Sequence, residues 1–232
     1  MNALTGRTRR RDSDGYFADD SNEFDRGVSF FDAIYGFSAT LLIANLDAPS
    51  PDSWRDMSSL LDSGIGSQLF GFALSFAVIV LFWRANVQLV RGMTGLDGPT
   101  VVANLVATAL VILIPFTTQG ISDPASSDYA LPTALYALNI TLAALAQIAV
   151  AWIGRARGLE RVSLTGRARV LELAGAATTP LVFGISIPIA LAFGPAAGQW
   201  TWASLVFLLP VVGRAQRAAT AASASTTTTP AN

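Results

Sequence analysis

The chain of 232 residues contains no cysteine and no histidine, and all fifteen of its basic residues are arginine. Without cysteine, neither a disulfide framework nor a thiolate metal site can form. Without histidine, the commonest general base and the commonest metal ligand are missing. Charge of either sign is scarce: 13% of the residues are charged, about half the ~25% usual for a soluble domain. A net charge of −1 gives no basic surface for a nucleic-acid partner. No apolar segment holds paired carboxylates, so an intramembrane enzyme would lack its acid and base. The composition asks for no cofactor.

Hydrophobicity is what the chain has in quantity. Apolar residues make up 52% of it and its mean hydropathy is +0.47. The apolar residues gather into six runs near the ~20 residues that cross a bilayer as a helix: 27–46, 67–90, 100–118, 131–153, 168–193 and a shorter 200–213. Continuous apolarity at this length predicts helices, because barrel strands alternate and are about half as long. Prolines 115, 180, 188 and 210 lie in or near these runs, where kinks are expected. The expected fold is an all-α integral membrane protein of six spans occupying 26–214. Residues 1–25 and 215–232, polar or low in complexity, read as disordered cytoplasmic tails.

The arginines set the expected orientation. Fourteen of the fifteen fall in the N-terminal tail or in connections on one side, and only Arg55 falls on the other. That asymmetry predicts a multi-pass protein of the cell membrane with both termini cytoplasmic, which requires an even number of spans.

The first span, RGVSFFDAIYGFSATLLIANLDAP, is unusual because it carries Asp32 and a series of small polar residues. On a helical wheel Ile34, Ser38, Leu41 and Asn45 form a narrow stripe, and Asp32 lies on the opposite side. Small and polar side chains in spans face other helices or a water-filled path, and the pattern leaves both open. A carboxylate facing lipid is too costly, so Asp32 needs donors from other spans. The candidates are Trp83, Asn86, Asn104 and Ser75.

These residues resemble a known family. Arg26, Phe30 and Asp32 in R-G-V-S-F-F-D are similar to the R-x-x-x-F-S-D signature of the transmembrane protein 175 family, the lysosomal and bacterial potassium channels. Thr40-Leu41-Leu42 followed by an acid and Pro49 resembles the stretch after that signature. Ser75-Phe76 with Trp83 and Asn86 is similar to S-F…W-x-x-H, and Asn104-Leu105 with Pro115-Phe116-Thr117 to N-L…P-F-x-T. Tyr136 fits as well, so the landmarks run through about the first 140 residues. Two positions depart: Phe31 stands for the signature serine, and Asn86 for the histidine.

The resemblance implies a homotetramer of six-span subunits with the first helix of each lining a central pore. It implies K⁺ permeation, selective over Na⁺, without a carbonyl filter, and the chain has no T-V-G-Y-G run. Position by position it implies apolar constriction rings at Ile34 and Leu41, with Ser38 between them and Asn45 beyond. It further implies an interhelical network built from Arg26, Phe30, Asp32, Ser75, Trp83, Asn86 and Asn104. The competing expectation is a proton- or ion-coupled secondary transporter, with Pro180 and Pro188 breaking a helix at a substrate site.

Overall fold

The computed structural model describes residues 15–126, 128–162, 164 and 166–227, with side chains described up to residue 219. Six helical segments are long and apolar enough to cross a membrane: Asn22–Asn45, Ile65–Arg91, Gly98–Ser122, Ala130–Ala156, Gly166–Phe193 and Pro195–Ala219. They correspond in order to the six expected runs.

The first span begins five residues earlier than expected. Ser21 is its N-cap, its Oγ accepting the Phe24 N–H at 3.2 Å. Glu23 and Asp25 then complement the positive helix end. Helix α1 runs Asn22–Leu41 and tightens into a 3₁₀ turn over Leu42–Asn45. Ahead of it, strand β1 (Phe17–Ala18) pairs antiparallel with β2 (Gly95–Leu96). Residues 16–25, read from sequence as part of a disordered tail, are therefore structured; residues 1–14 lie outside the described residues.

Across the α1 end, a 3₁₀ turn (Pro51–Trp54) and a short helix α2 (Met57–Asp62) lead to α3 (Ile65–Arg91). The third span is two helices, α4 (Gly98–Ile112) and α5 (Ile114–Ser122), broken at Leu113. Pro115 explains the break, since its ring cannot donate to the ladder and clashes with the preceding turn. Helix α6 (Ala130–Ala156) and α7 (Gly166–Phe193) follow, with Pro180 and Pro188 inside α7. The sixth span combines α8 (Pro195–Trp202) and α9 (Ser204–Thr227), divided at Ala203, where there is no proline. Helix α8 supplies the length that 200–213 lacked. Residues 215–227, expected to be a disordered tail, continue α9.

Helix α6 is the axis of the subunit. Its Ala137, Ala143 and Ala144 are buried, and such small side chains let neighbouring backbones come close. Around it the main core gathers Tyr35 and Leu42 of α1 and its turn, Ile79 and Phe82 of α3, and Val111 of α4. Tyr136, Phe183 and Trp202 form an aromatic cluster, with Trp202 5.2 Å from each of the other two ring centroids. Glycine is required where α7 and α8 touch: a Cβ at Gly198 would sit 2.6 Å from that of Ala190.

A second, smaller core lies at the arginine-rich end, where Val90, Met93, Leu96, Val150 and Leu159 pack with Tyr16 and Phe24. Polar contacts close it. The Tyr16 hydroxyl donates to the Thr94 carbonyl at 2.8 Å. Ion pairs join Arg157 to Asp97, Arg161 to Asp19, Arg155 to Glu160 and Arg169 to Glu172. Much of the arginine asymmetry that marks topology is thus also a set of staples.

Candidate functional site

Helix α1 divides into two faces. Phe31, Tyr35, Ser38 and Leu42 point into the subunit and are buried. Ala33, Gly36, Phe37, Thr40 and Ala44 lie on the other side and are exposed, Phe37 at 64%. Residues 26, 30, 33, 37, 40 and 44 stay within about 40° of one direction on a 3.6-residue helix, with Gly36 at the edge of that stripe. Besides Arg26 and the rings of Phe30 and Phe37 it is small or hydroxylic, whereas the exposed faces of the other spans are rich in leucine, valine and phenylalanine.

The expected stripe lies elsewhere. Ser38 is 0% exposed, and its Oγ donates to the Ile34 carbonyl at 2.8 Å. Within the single subunit Ser38 therefore faces the neighbouring helices and not the open side. The physical reason is that the i−4 carbonyl satisfies the hydroxyl, which makes serine a small packing residue inside a helix bundle. Ile34 and Leu41 are half-buried on the flank between the two faces. Asn45 is tied sideways, its Nδ2 donating to the Pro115 carbonyl at 2.5 Å.

Of the donors expected for Asp32, Trp83 is the one that reaches it: the indole Nε1 donates to Oδ1 at 2.9 Å and clamps α1 to α3. Among the described residues, the other expected members make no hydrogen bond to Asp32. Phe30 is exposed and is in edge contact with Phe31, while Arg26 makes no ion pair among the described residues. Ser75 belongs to another group, where it meets the Tyr136 hydroxyl at 3.1 Å and accepts from Thr118 Oγ1 at 2.7 Å. Asn86 is buried with Oδ1 unpartnered, and Asn104 is buried with both amide atoms unpartnered. The amide at 86 does not rebuild a network here, and Phe31, 2% exposed, contributes only packing where the family has a hydroxyl.

Sequence reasoning missed three contributors. The Gln147 amide donates to the Phe82 carbonyl at 2.9 Å and the Tyr35 hydroxyl at 3.3 Å, joining α6 to α3 and α1. Thr118 completes the Ser75–Tyr136 group. Asp97 caps α4, accepting from the Thr100 amide at 3.1 Å and hydroxyl at 2.6 Å. Burial alone would raise the Asp97 carboxyl, but the two Thr100 bonds and the Arg157 guanidinium outweigh it and hold it below the usual range. The D-G-P-T spelling at 97–100 is a helix-start signal that sequence reading could have used. Among the described residues no group of acids could hold a metal ion.

Among the described residues, five apolar spans around a sixth, central one, with the first span left open on one face, define a multi-pass α-helical membrane protein. On the first three spans, residues 26–115 match the family described as endosomal/lysosomal potassium channel TMEM175. The fold is shared with the crystal structure of a lysosomal potassium-selective channel TMEM175 homolog from Chamaesiphon minutus, at a TM-score of 0.63 and 17% identity. That likeness covers 84% of this chain and 99% of the other. No curated protein matches the chain.

Proposed function

We propose that this chain is the subunit of a potassium-permeable, K⁺-over-Na⁺-selective leak channel of the cell membrane. Four copies surround a pore with α1 at the centre, and the arginine-rich end with both termini faces the cytoplasm. One observation carries the reading: the α1 face left uncovered carries Ala33, Gly36, Thr40 and Ala44, with Phe30 and Phe37 among them. Lipid does not ask for such a face, whereas a narrow water path lined by four closely approaching helices does. The match of residues 26–115 to the TMEM175 family supports the ion, as does the named activity of the Chamaesiphon homolog.

The constriction belongs on the open face. Phe37 would place four rings around the axis, with Leu41 at their edge and Ile34 further round. A ring of apolar side chains offers no ligand to replace an ion's water, so it dominates the barrier or gates by dewetting. A coupled transporter has less support, because Asp32, the acid set deepest in the first span, is already engaged by Trp83.

The test is a bi-ionic recording of the purified chain in planar bilayers. Wild type passes current without any driving substrate, with a reversal potential favouring K⁺. Phe37→Ala raises conductance and moves the reversal potential toward zero, while Leu42→Ala, buried in the core, leaves it unchanged. No current, or equal shifts from both substitutions, overturns the reading.

A further inference from the structure

A long apolar groove of about 500 Å³ runs between α3, α6, α7 and α9. Leu74, Leu81 and Leu89 line its α3 wall, facing Ile148, Phe183 and Leu209. From Leu74 to Leu89 it extends about 22 Å at 1.5 Å per residue, more than the ~15 Å of one hydrocarbon leaflet. Leu81 and Val206 are exposed at its lips, so it opens sideways toward the surrounding membrane. Two of its polar wall groups are already occupied: Gln147 Nε2 serves Phe82 and Tyr35, and Trp202 Nε1 donates to Ser186 Oγ at 2.9 Å, leaving the Thr179 hydroxyl in an otherwise apolar wall. The interior asks mainly for alkyl contact.

One end of the groove is cationic. Gln216 Nε2 donates to the Leu171 carbonyl at 2.9 Å, which brings the end of α9, with Arg214 and Arg217, beside the start of α7. Arg161 Nε donates to the Arg91 carbonyl at 3.1 Å, so the end of α3 reaches the same side. Arg84, exposed, stands seven residues before Arg91, about 10 Å into the span, one turn from the lining residue Leu81 and outside the groove wall itself. Arg155, Arg157, Arg161 and Arg169 all have acids within the chain, but Arg84, Arg91, Arg214 and Arg217 form no ion pair among the described residues. An arginine at this depth needs an anion or water at the interface.

We infer that the groove holds one acyl chain of an anionic phospholipid, with the headgroup phosphate drawn to Arg84 and the α3/α9 arginines. Basic pockets between spans are a recognised chemistry for acidic headgroups. The lipid wedges α3 against α9 and completes the outer wall of the subunit. This inference needs the membrane setting but not the channel reading, since its measurement involves no ion flux.

The experiment is native mass spectrometry of the full chain in detergent, titrated with phosphatidylglycerol or with phosphatidylcholine of the same chains. Wild type retains phosphatidylglycerol preferentially. Arg84→Ala lowers that retention about five-fold, the worth of one near-surface arginine, and Arg84→Lys restores most of it. Ala85→Phe fills the groove and lowers retention of both lipids. Equal retention of the two lipids by wild type and Arg84→Ala overturns the inference. So does an Ala85→Phe protein that keeps its lipid but changes its number of subunits, because the groove would then seat a second copy.

Discussion

Asp32 sits on a flank of α1, between the buried and open faces, and is held by a single indole donor. A hydrogen bond to a charged group contributes about 1.5–3 kcal/mol, less where water competes. Asp32→Ala and Trp83→Phe should therefore each lower stability by about 1–2 kcal/mol, and the double substitution by little more than either alone, as the two share one contact. Thermal unfolding in detergent reads all three; full additivity would show that the bond contributes nothing. Ser38 gives the complementary case. Its hydroxyl serves only a carbonyl of its own helix, so Ser38→Ala should leave single-channel conductance unchanged. Ser38→Leu would force extra volume into a filled site and cost about 1–3 kcal/mol. A conductance change in Ser38→Ala would return that residue to the pore.

At the scale of elements, the arginine-rich end is held by the β1–β2 pair, the capped start of α4 and the ion pairs around them. The Asp97 carboxyl is held below its usual range in the folded chain. A depressed acid stabilises the fold above its unfolded pKa, near 4, and that contribution is lost as pH falls through the lower folded value. Stability should thus fall on acidification below about pH 4, and Asp97→Asn should flatten that dependence while lowering stability at neutral pH. Melting temperatures of both proteins across pH 2–7 check this; parallel curves would mean Asp97 does not contribute. The first span teaches a different lesson. Its helical character was evident from apolar length, while the stripe of Ile34, Ser38, Leu41 and Asn45 lies about 100° round the helix from the face the single subunit leaves open. Ser38 and Asn45 attracted attention as polar residues, yet each finds a carbonyl within the subunit.

For the whole molecule, the open α1 face sets the expected assembly. Phe30 and Phe37 are largely exposed there, at 55% and 64%. A subunit that surrounds a pore with three others covers part of this face and wets the remainder, so light scattering of the detergent-solubilised chain should give four subunits. A monomer would remove the central pore. Phe37→Ala should keep the four-fold mass, because a pore-facing ring contributes little to contacts between subunits. Dissociation on that substitution would place Phe37 in an interface instead.

By itself the sequence determined the number of spans, their order and the helical class, because these depend on apolar length and on the cost of unpaired backbone in lipid. It also pointed to a donor for Asp32, since a carboxylate within an apolar span must avoid lipid and few donors were on offer. Local order at the edges escaped it. The strand at Phe17–Ala18 exists only because Gly95–Leu96, far along the chain, lies beside it. Only the tertiary structure decided which side of α1 is covered. Period-3.6 spacing groups residues into faces, but it does not say which face meets the core when both carry small and apolar side chains. Packing of Phe31, Tyr35 and Leu42 against the neighbouring helices settled that, and so turned Ser38 inward and left Phe37 on the open side.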